Sequence, residues 1–258
     1  DFADQCRGTY TDAIPSARGY YHSRSGYEDE LVWSALWLYK ATGEIGYLQK
    51  AESIYAAHCA SAPMRWTHSW DDKSYGAVIL LAQLTKSDTY KDAVRHWLNY
   101  WTTGDGSERI AYTPGGLAWL DSWGSLRYAA TTAFLAFVYA DTVEDVGRRY
   151  RDFACRQIDY ILGANPHERS YVVGFGNKFP RNAHHRASHG SPTHTIQDPS
   201  TNRHILYGAL VGGPTSPDDS SHVDDRTNFK GNEVALDYNA GFTGAVARMI
   251  LEFAEPSP

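Results

Sequence analysis

Residues 180–186 read Pro-Arg-Asn-Ala-His-His-Arg, Asp224-Asp225-Arg226 follows downstream, and Asn232-Glu233 stands where a strongly apolar helix is expected to open. An aspartate, a glutamate nine positions later and a His/Arg cluster upstream are side chains suited to splitting a glycosidic bond. That reaction uses two carboxyl groups, one giving a proton to the leaving oxygen and one activating water or attacking carbon. A glutamate at a helix entrance also has a plainer use, since a carboxylate there complements the helix dipole or closes a capping arrangement. What lifts Glu233 above that use is the string around it, Asp224-x4-Phe229-x3-Glu233-x-Ala235-x3-Asn239-Ala240.

Other constellations have competing readings. His184, His185, His189 and His194 could suggest a metal, but their spacing matches no common zinc pattern and adjacent histidines rarely bind one ion. In Ser25-Gly26-Tyr27-Glu28-Asp29-Glu30, three successive acids at a helix start read first as dipole complements on a solvated turn. The aromatic content is high, with 8 Trp, 18 Tyr and 9 Phe. Such rings pack cores, and in loops they also suit a cleft that grips a ligand with apolar faces and polar edges. Tyr20, Tyr21, Trp66, Trp119 and Trp123 fall in expected loops, whereas Trp33, Trp37 and Trp97 fall in expected helices and read as core.

Helices must position these groups. Apolar residues recur with helical period over 27–42, 47–60, 74–84, 89–101, 123–141, 143–162 and 232–253, with almost no period-2 alternation, so an all-α domain is expected. Some connections are tight, as at Thr42-Gly43-Glu44. Others are long and rich in aromatic, Gly, Pro and charged residues, which predicts helical hairpins with function on the loop-rich face. The stretch 163–231 is too long for a connector and is expected to be functional. No internal repeat or interdomain linker is evident.

At 258 residues the chain has enough length for one large core. Its net charge of −6 and its lack of basic runs argue against nucleic acid or an anionic membrane as partner. No apolar stretch approaches the ~20 residues that span a bilayer. No signal peptide is visible, and the chain begins as a mature or truncated one would. Cys6, Cys59 and Cys155 are widely spaced and odd in number, which argues against a disulfide framework and leaves one bridge plus a free thiol open.

The string around Glu233 resembles one of two active-site signatures of glycoside hydrolase family 9, the inverting cellulases. It departs at His222, two before Asp224, where the family prefers an aromatic residue. The segment Tyr171-Val-Val-Gly-Phe-Gly-Asn-Lys-Phe-Pro-Arg-Asn-Ala-His184-His185-Arg186 resembles the other signature. The resemblance implies part of an (α/α)6 barrel, a six-hairpin toroid, and secreted, endo-acting hydrolysis of β-1,4-glucan. It implies Glu233 as general acid, Asp224 holding hydrogen bonds around it, and Tyr238 lining the same subsite. His184 and Arg186 would bind sugar beside the cleavage point, and Trp66, Trp123 and Tyr21 would line glucosyl subsites. Ser25, Gly26, Asp29, Glu30 and Asp71 would be calcium ligands, since oxygen donors with several charges suit Ca2+.

An inverting enzyme also needs a general base, with the two carboxyls about 6.5–9.5 Å apart. The family carries it in an Asp-Ala-Gly-Asp type motif near the N-terminus of the domain, and nothing comparable occurs here. Residues 1–258 therefore correspond to the C-terminal portion of one catalytic domain, and the N-terminal portion is an expected partner. The chain alone is expected to be weakly active or inactive. Two other classes stay open at this stage, a non-catalytic carbohydrate-binding helical domain and an all-α scaffold gripping protein.

Overall fold

The structure, a computed structural model, describes residues 2–104 and 108–254. The chain divides into two compact units, Asp1–Leu98 and Asn99–Pro258. In the first, α1 (Glu28–Thr42) pairs with α2 (Ile45–Ile54) and with α3 (Ser74–Thr85), and α4 (Asp88–Trp101) leads out of the unit. In the second, α5 (Ser125–Thr142) packs on both α6 (Arg149–Leu162) and α7 (Leu236–Phe253). Strands β1 (Ala111–Tyr112) and β2 (Ala118–Trp119) form one short antiparallel hairpin that enters the loop before α5.

Local chemistry accounts for these elements. The helix α1 opens on Glu28, Asp29 and Glu30, which complement its N-terminal dipole, and stops at Gly43, whose φ of 74° makes a left-handed cap. Every residue of α3 from Ser74 to Ala82 is buried. It is apolar all round, as a helix enclosed by its own unit must be. In the second unit α7 approaches α5 so closely that a Cβ on Gly241 would stand 2.6 Å from Thr131 Cα. Only glycine admits that contact. At the far end of the same pair, Arg151 bonds Asp141 at 2.7 Å and Asp145 at 2.8 Å, while Arg248 pairs with Asp141 and with Glu252 at 2.7 Å. Shared partners make this a network that ties α5, α6 and α7 together, which counts for more than isolated surface pairs.

The expected helices are present, with four corrections at their ends. The helix expected over 232–253 starts only at Leu236. Residues Phe229–Asn232 form a separate single turn, and Glu233 leaves it in extended conformation (φ −60°, ψ 146°). The helix expected over 123–141 starts at Ser125, because Gly124 is left-handed at φ 69°. The span 143–162 is broken by Gly147 (φ 61°) and Arg148 (φ 61°), so α6 begins at Arg149. The span 47–60 begins two residues earlier than expected and ends in a π turn, Tyr55–Cys59. Cys6, Cys59 and Cys155 are all free thiols. No helix among the described residues is long and apolar enough to cross a membrane.

Candidate active site

Glu233 lies on a short extended spur between the Phe229–Asn232 turn and α7. Three backbone bonds pin the turn: Gly124 N to Lys230 O at 3.1 Å, Gly213 N to Gly231 O at 2.8 Å, and His184 N to Asn232 O at 2.7 Å. His184 and Glu233 then pair as an isolated parallel bridge. The two segments resembling family signatures are thereby joined backbone to backbone.

Asn232 beneath the spur is fully buried. Its Nδ2 donates to the carbonyls of Val223, Asp225 and Asn228, at 2.7, 3.0 and 3.1 Å. Its Oδ1 accepts from His222 Nε2 at 3.1 Å, and Arg169 donates to His222 Nδ1 at 3.0 Å. A guanidinium can only donate, so the imidazole is neutral and carries its proton on Nε2. Burial, and after it the charge of Arg169, push the His222 pKa down to about 3. The departure from the family pattern at position 222 is thus filled by a buried hydrogen-bonding link to Asn232. Its ring also meets Tyr171 edge-on at 5.2 Å.

The Glu233 side chain is half-buried. Trp123 Nε1 donates to its Oε2 at 2.5 Å and the Tyr238 hydroxyl donates to the same oxygen at 3.0 Å. Two donors occupy Oε2 and leave Oε1 as the atom that would carry a proton. Tyr238 is buried, and burial raises its pKa, which keeps it a donor. A Cβ on Gly124 would lie 2.7 Å from that hydroxyl, so this left-handed glycine makes the room Tyr238 needs. Trp123 is 41% exposed, its ring set against Phe229 at 5.0 Å between centroids. Asp121, in the same loop, is turned back to accept from Trp123 N at 2.8 Å.

Asp224 uses both carboxylate oxygens on backbone, accepting from Arg181 N and Asn182 N at 2.9 Å each. It braces the segment that delivers His184, and so acts on Glu233 through that segment. His184 Nδ1 donates to Arg226 O at 2.7 Å, which leaves Nε2 as the ring nitrogen open to a ligand. Arg186 is exposed and donates to Thr193 O at 2.6 Å. Both border a cavity of about 270 Å3, together with His185, His189, His194, Ile196 and Arg226.

The remaining expected site residues belong to the first unit. Tyr21 and Trp66 are exposed at 52% and 38%, and Tyr21 meets Trp70 edge-on at 5.1 Å. Ser25 Oγ donates to Asp71 O at 2.7 Å, and Asp71's carboxylate accepts from Arg24 N at 3.0 Å. The carbonyl of Gly26 accepts from Ser23 Oγ at 2.7 Å. Asp29 is buried and accepts from Lys73 N at 2.6 Å through Oδ2. Its Oδ1 and Glu30 Oε2 are buried without a hydrogen-bond partner. Burial, then the adjacent Asp29, raise the Glu30 pKa to about 8. Two buried carboxylate oxygens on adjacent residues, neither with a donor, are the kind of ligand a hard cation takes, although Lys73 Nζ also lies 3.9 Å from Glu30 Oε1. No three His, Cys, Asp or Glu side chains converge on a metal-sized site among the described residues. A cation there would therefore need main-chain, hydroxyl or water oxygens as well.

Comparison with known proteins fits this geometry into a family. Residues 1–246 match the model of Glycosyl hydrolase family 9. The chain belongs to that family. Family 9 relatives include Endoglucanase B of Cellulomonas fimi and Endoglucanase A of Bacillus pumilus, each 51% identical over 98% of this chain. The chain spans 25% and 39% of the lengths of those two proteins. Among solved family 9 structures, endoglucanase CelQ from Clostridium thermocellum complexed with cellotriose superposes with a TM-score of 0.87 at 48% identity. That match covers 94% of this chain and 43% of that one. The endoglucanase of the termite Nasutitermes takasagoensis gives 0.85 at 42% identity over 98% of this chain and 57% of that one. The fold class of this family 9 chain is accordingly all-α, part of an (α/α)6 barrel.

The family resemblance pointed to Glu233, Trp123, Tyr238, Asp224 and His184, and the structure gathers all five around one spur. The resemblance missed Asn232 and His222 as the support below that spur. The one available signal was the unusual histidine at 222.

Proposed function

We propose that this chain is the acid-bearing portion of an inverting endo-β-1,4-glucanase acting on cellulose and related β-glucans. Glu233 Oε1 gives its proton to the leaving glycosidic oxygen, while Trp123 and Tyr238 hold the developing carboxylate on Oε2. This works because the donors are in place before charge forms and need no reorganisation during the step. His184 and Arg186 hold the sugar beside the scissile bond. The exposed rings of Trp123, Trp66 and Tyr21 offer faces for glucosyl residues. The single observation carrying the reading is the pair of donors converging on one oxygen of a half-buried carboxylate.

The general base belongs to a further, N-terminal portion of the same catalytic domain. Asp121 accepts from Trp123 N and Asp71 from Arg24 N, and neither stands in a paired-aspartate motif of the kind the base requires. Exposed Leu236, Ile250, Leu251 and Phe253 along α7 support a covering partner. A structural Ca2+ at Asp29 and Glu30, with oxygens contributed around Ser25, Gly26 and Asp71, would neutralise those carboxylates and pin their loops. The enzyme acts outside the cell, where its polymeric substrate is.

The test is turnover on carboxymethyl cellulose by the isolated 258 residues beside the polypeptide joined to a paired-aspartate segment. The joined form should be far faster, and its first product should be the α-anomer by proton NMR. Equal turnover by the isolated chain refutes the missing base, and a β-anomer refutes inversion.

A further inference from the structure

Asn232 is bonded on two sides, and both bonds bear on the spur. Its backbone carbonyl accepts from His184 N at 2.7 Å, while its side chain lies fully buried beneath the turn. Three carbonyls, those of Val223, Asp225 and Asn228, face Nδ2. Carbonyls only accept, so the amide must turn its nitrogen to them and its oxygen away. There Oδ1 meets His222 Nε2, which satisfies it only when that nitrogen carries a proton. A neutral imidazole has one such proton and can hold it on either nitrogen. Arg169 decides which, because its terminal nitrogen donates to Nδ1 at 3.0 Å and to the His222 carbonyl at 3.4 Å. The opposite tautomer would oppose two donors at Nδ1 and two acceptors at Nε2. The turn above has little slack, since a Cβ on Gly231 would stand 3.4 Å from His222 Cδ2 and 3.0 Å from Gly213 O.

We propose, on the reading of Glu233 as general acid, that Arg169 and His222 are positioning residues for the proton transfer. Through Asn232 they set where Glu233 Oε1 stands relative to the sugar held by His184. Arg169 fixes the tautomer, His222 fixes the amide, and the amide gathers the carbonyls that curl residues 223–228 into the turn. Asn232 then delivers two groups at once. Glu233 follows it in the chain and leaves extended, at ψ 146°, and His184 is tied to it through the backbone. A catalytic group misplaced by about 1 Å can lose on the order of 10²-fold in rate. Such a loss needs no change in the bonds from Trp123 and Tyr238 to Oε2.

The experiment uses the polypeptide joined to its base-carrying segment and two substrates, cellotetraose and an aryl β-cellobioside whose acidic phenol leaves without a proton. His222→Phe fills the space without the donor and should lower kcat on cellotetraose about 10–100-fold, with KM unchanged. Arg169→Met keeps the stem without the charge and should lower it about three- to tenfold. Arg169 is only half-buried, so this variant serves should His222→Phe fold poorly. On the aryl substrate both losses should be far smaller, as for a misplaced acid. His222→Gln, whose amide can donate to Asn232 and accept from Arg169, should recover most of the rate. Proton–nitrogen NMR should find His222 protonated on Nε2, and a mixture of tautomers in Arg169→Met. An unchanged kcat, equal losses on both substrates, or a tautomer indifferent to Arg169 would overturn the positioning role. Glu233→Gln measured alongside tells the two failures apart. If it alone shows the difference between substrates, only the positioning role falls; if it shows none, the acid assignment falls and the positioning role with it.

Discussion

Trp123 and Glu233 lie 110 positions apart, and the indole nitrogen of the first donates to Oε2 of the second at 2.5 Å. The loop that carries Trp123 is therefore part of the carboxyl's immediate environment. Replacing Trp123 with Phe keeps a ring against Phe229 and removes only the donor. The expected result is a fall in kcat of about tenfold or more with little change in fold, as for loss of one hydrogen bond to a charged group. Steady-state kinetics on cellotetraose, in the polypeptide joined to its base-carrying segment, with circular dichroism checks it, and an unchanged kcat removes Trp123 from the mechanism.

Tyr238 shares that oxygen from the buried side, at 3.0 Å, in room left by Gly124. Gly124→Ala places a methyl 2.7 Å from the hydroxyl at a backbone φ of 69°. It should cost about 1–3 kcal/mol of stability through strain and displacement of Tyr238. Tyr238→Phe should cost only about 1 kcal/mol, because Oε2 keeps Trp123. Urea denaturation of both variants tests the order, and Tyr238→Phe as the more damaging change would contradict it.

His222 makes stability depend on pH. Its folded pKa is pushed down to about 3, so the unfolded chain, with its histidine near 6.5, binds more protons between those values. Stability present above about pH 6.5 should then be lost as pH falls toward 3, by an amount on the order of a few kcal/mol. Carboxylates contribute in the same window, so the informative quantity is the difference from His222→Phe, whose slope should be shallower. Equal slopes from pH 6.5 to 4 would show that His222 is not held neutral.

Seven apolar patterns located seven helices, most because one face is buried and the 3.6-residue repeat records it, and α3 because it is a continuous apolar run buried on all sides. The helix ends were less legible. Glu233 has the local makings of a first-turn acid, and Val234 and Ala235 continue the apolar pattern. What holds them extended is the contact with His184, almost fifty positions away by numbering, which no local pattern encodes. Position 222 is similar: histidine reads as a departure from a motif until Arg169 and Asn232 are seen on either side of it. Asp224 was legible as important, but its action through the backbone of 181 and 182 was not. Gly147 and Arg148 delay the start of α6 to Arg149, where periodicity alone carried that helix back to 143.

The Asp29–Glu30 pair predicts a response to chelation. With both carboxylates neutralised by Ca2+, EDTA should lower Tm, added Ca2+ should restore it, and Asp29→Ala should abolish the response. Differential scanning calorimetry distinguishes this from a generic salt effect by using Mg2+ at equal ionic strength, since Mg2+ fits such sites poorly. A Tm indifferent to EDTA removes the calcium assignment.

The central claim is that Glu233 donates a proton to the leaving group. It is tested most directly by Glu233→Gln in the polypeptide joined to its base-carrying segment, assayed on two substrates. On cellotetraose, whose leaving sugar needs that proton, the rate should fall by about 10²–10⁴-fold. On an aryl β-cellobioside with an acidic phenol as leaving group the loss should be far smaller, with cellotriose binding retained. An undiminished rate on cellotetraose, or the same loss on both substrates, would contradict the account.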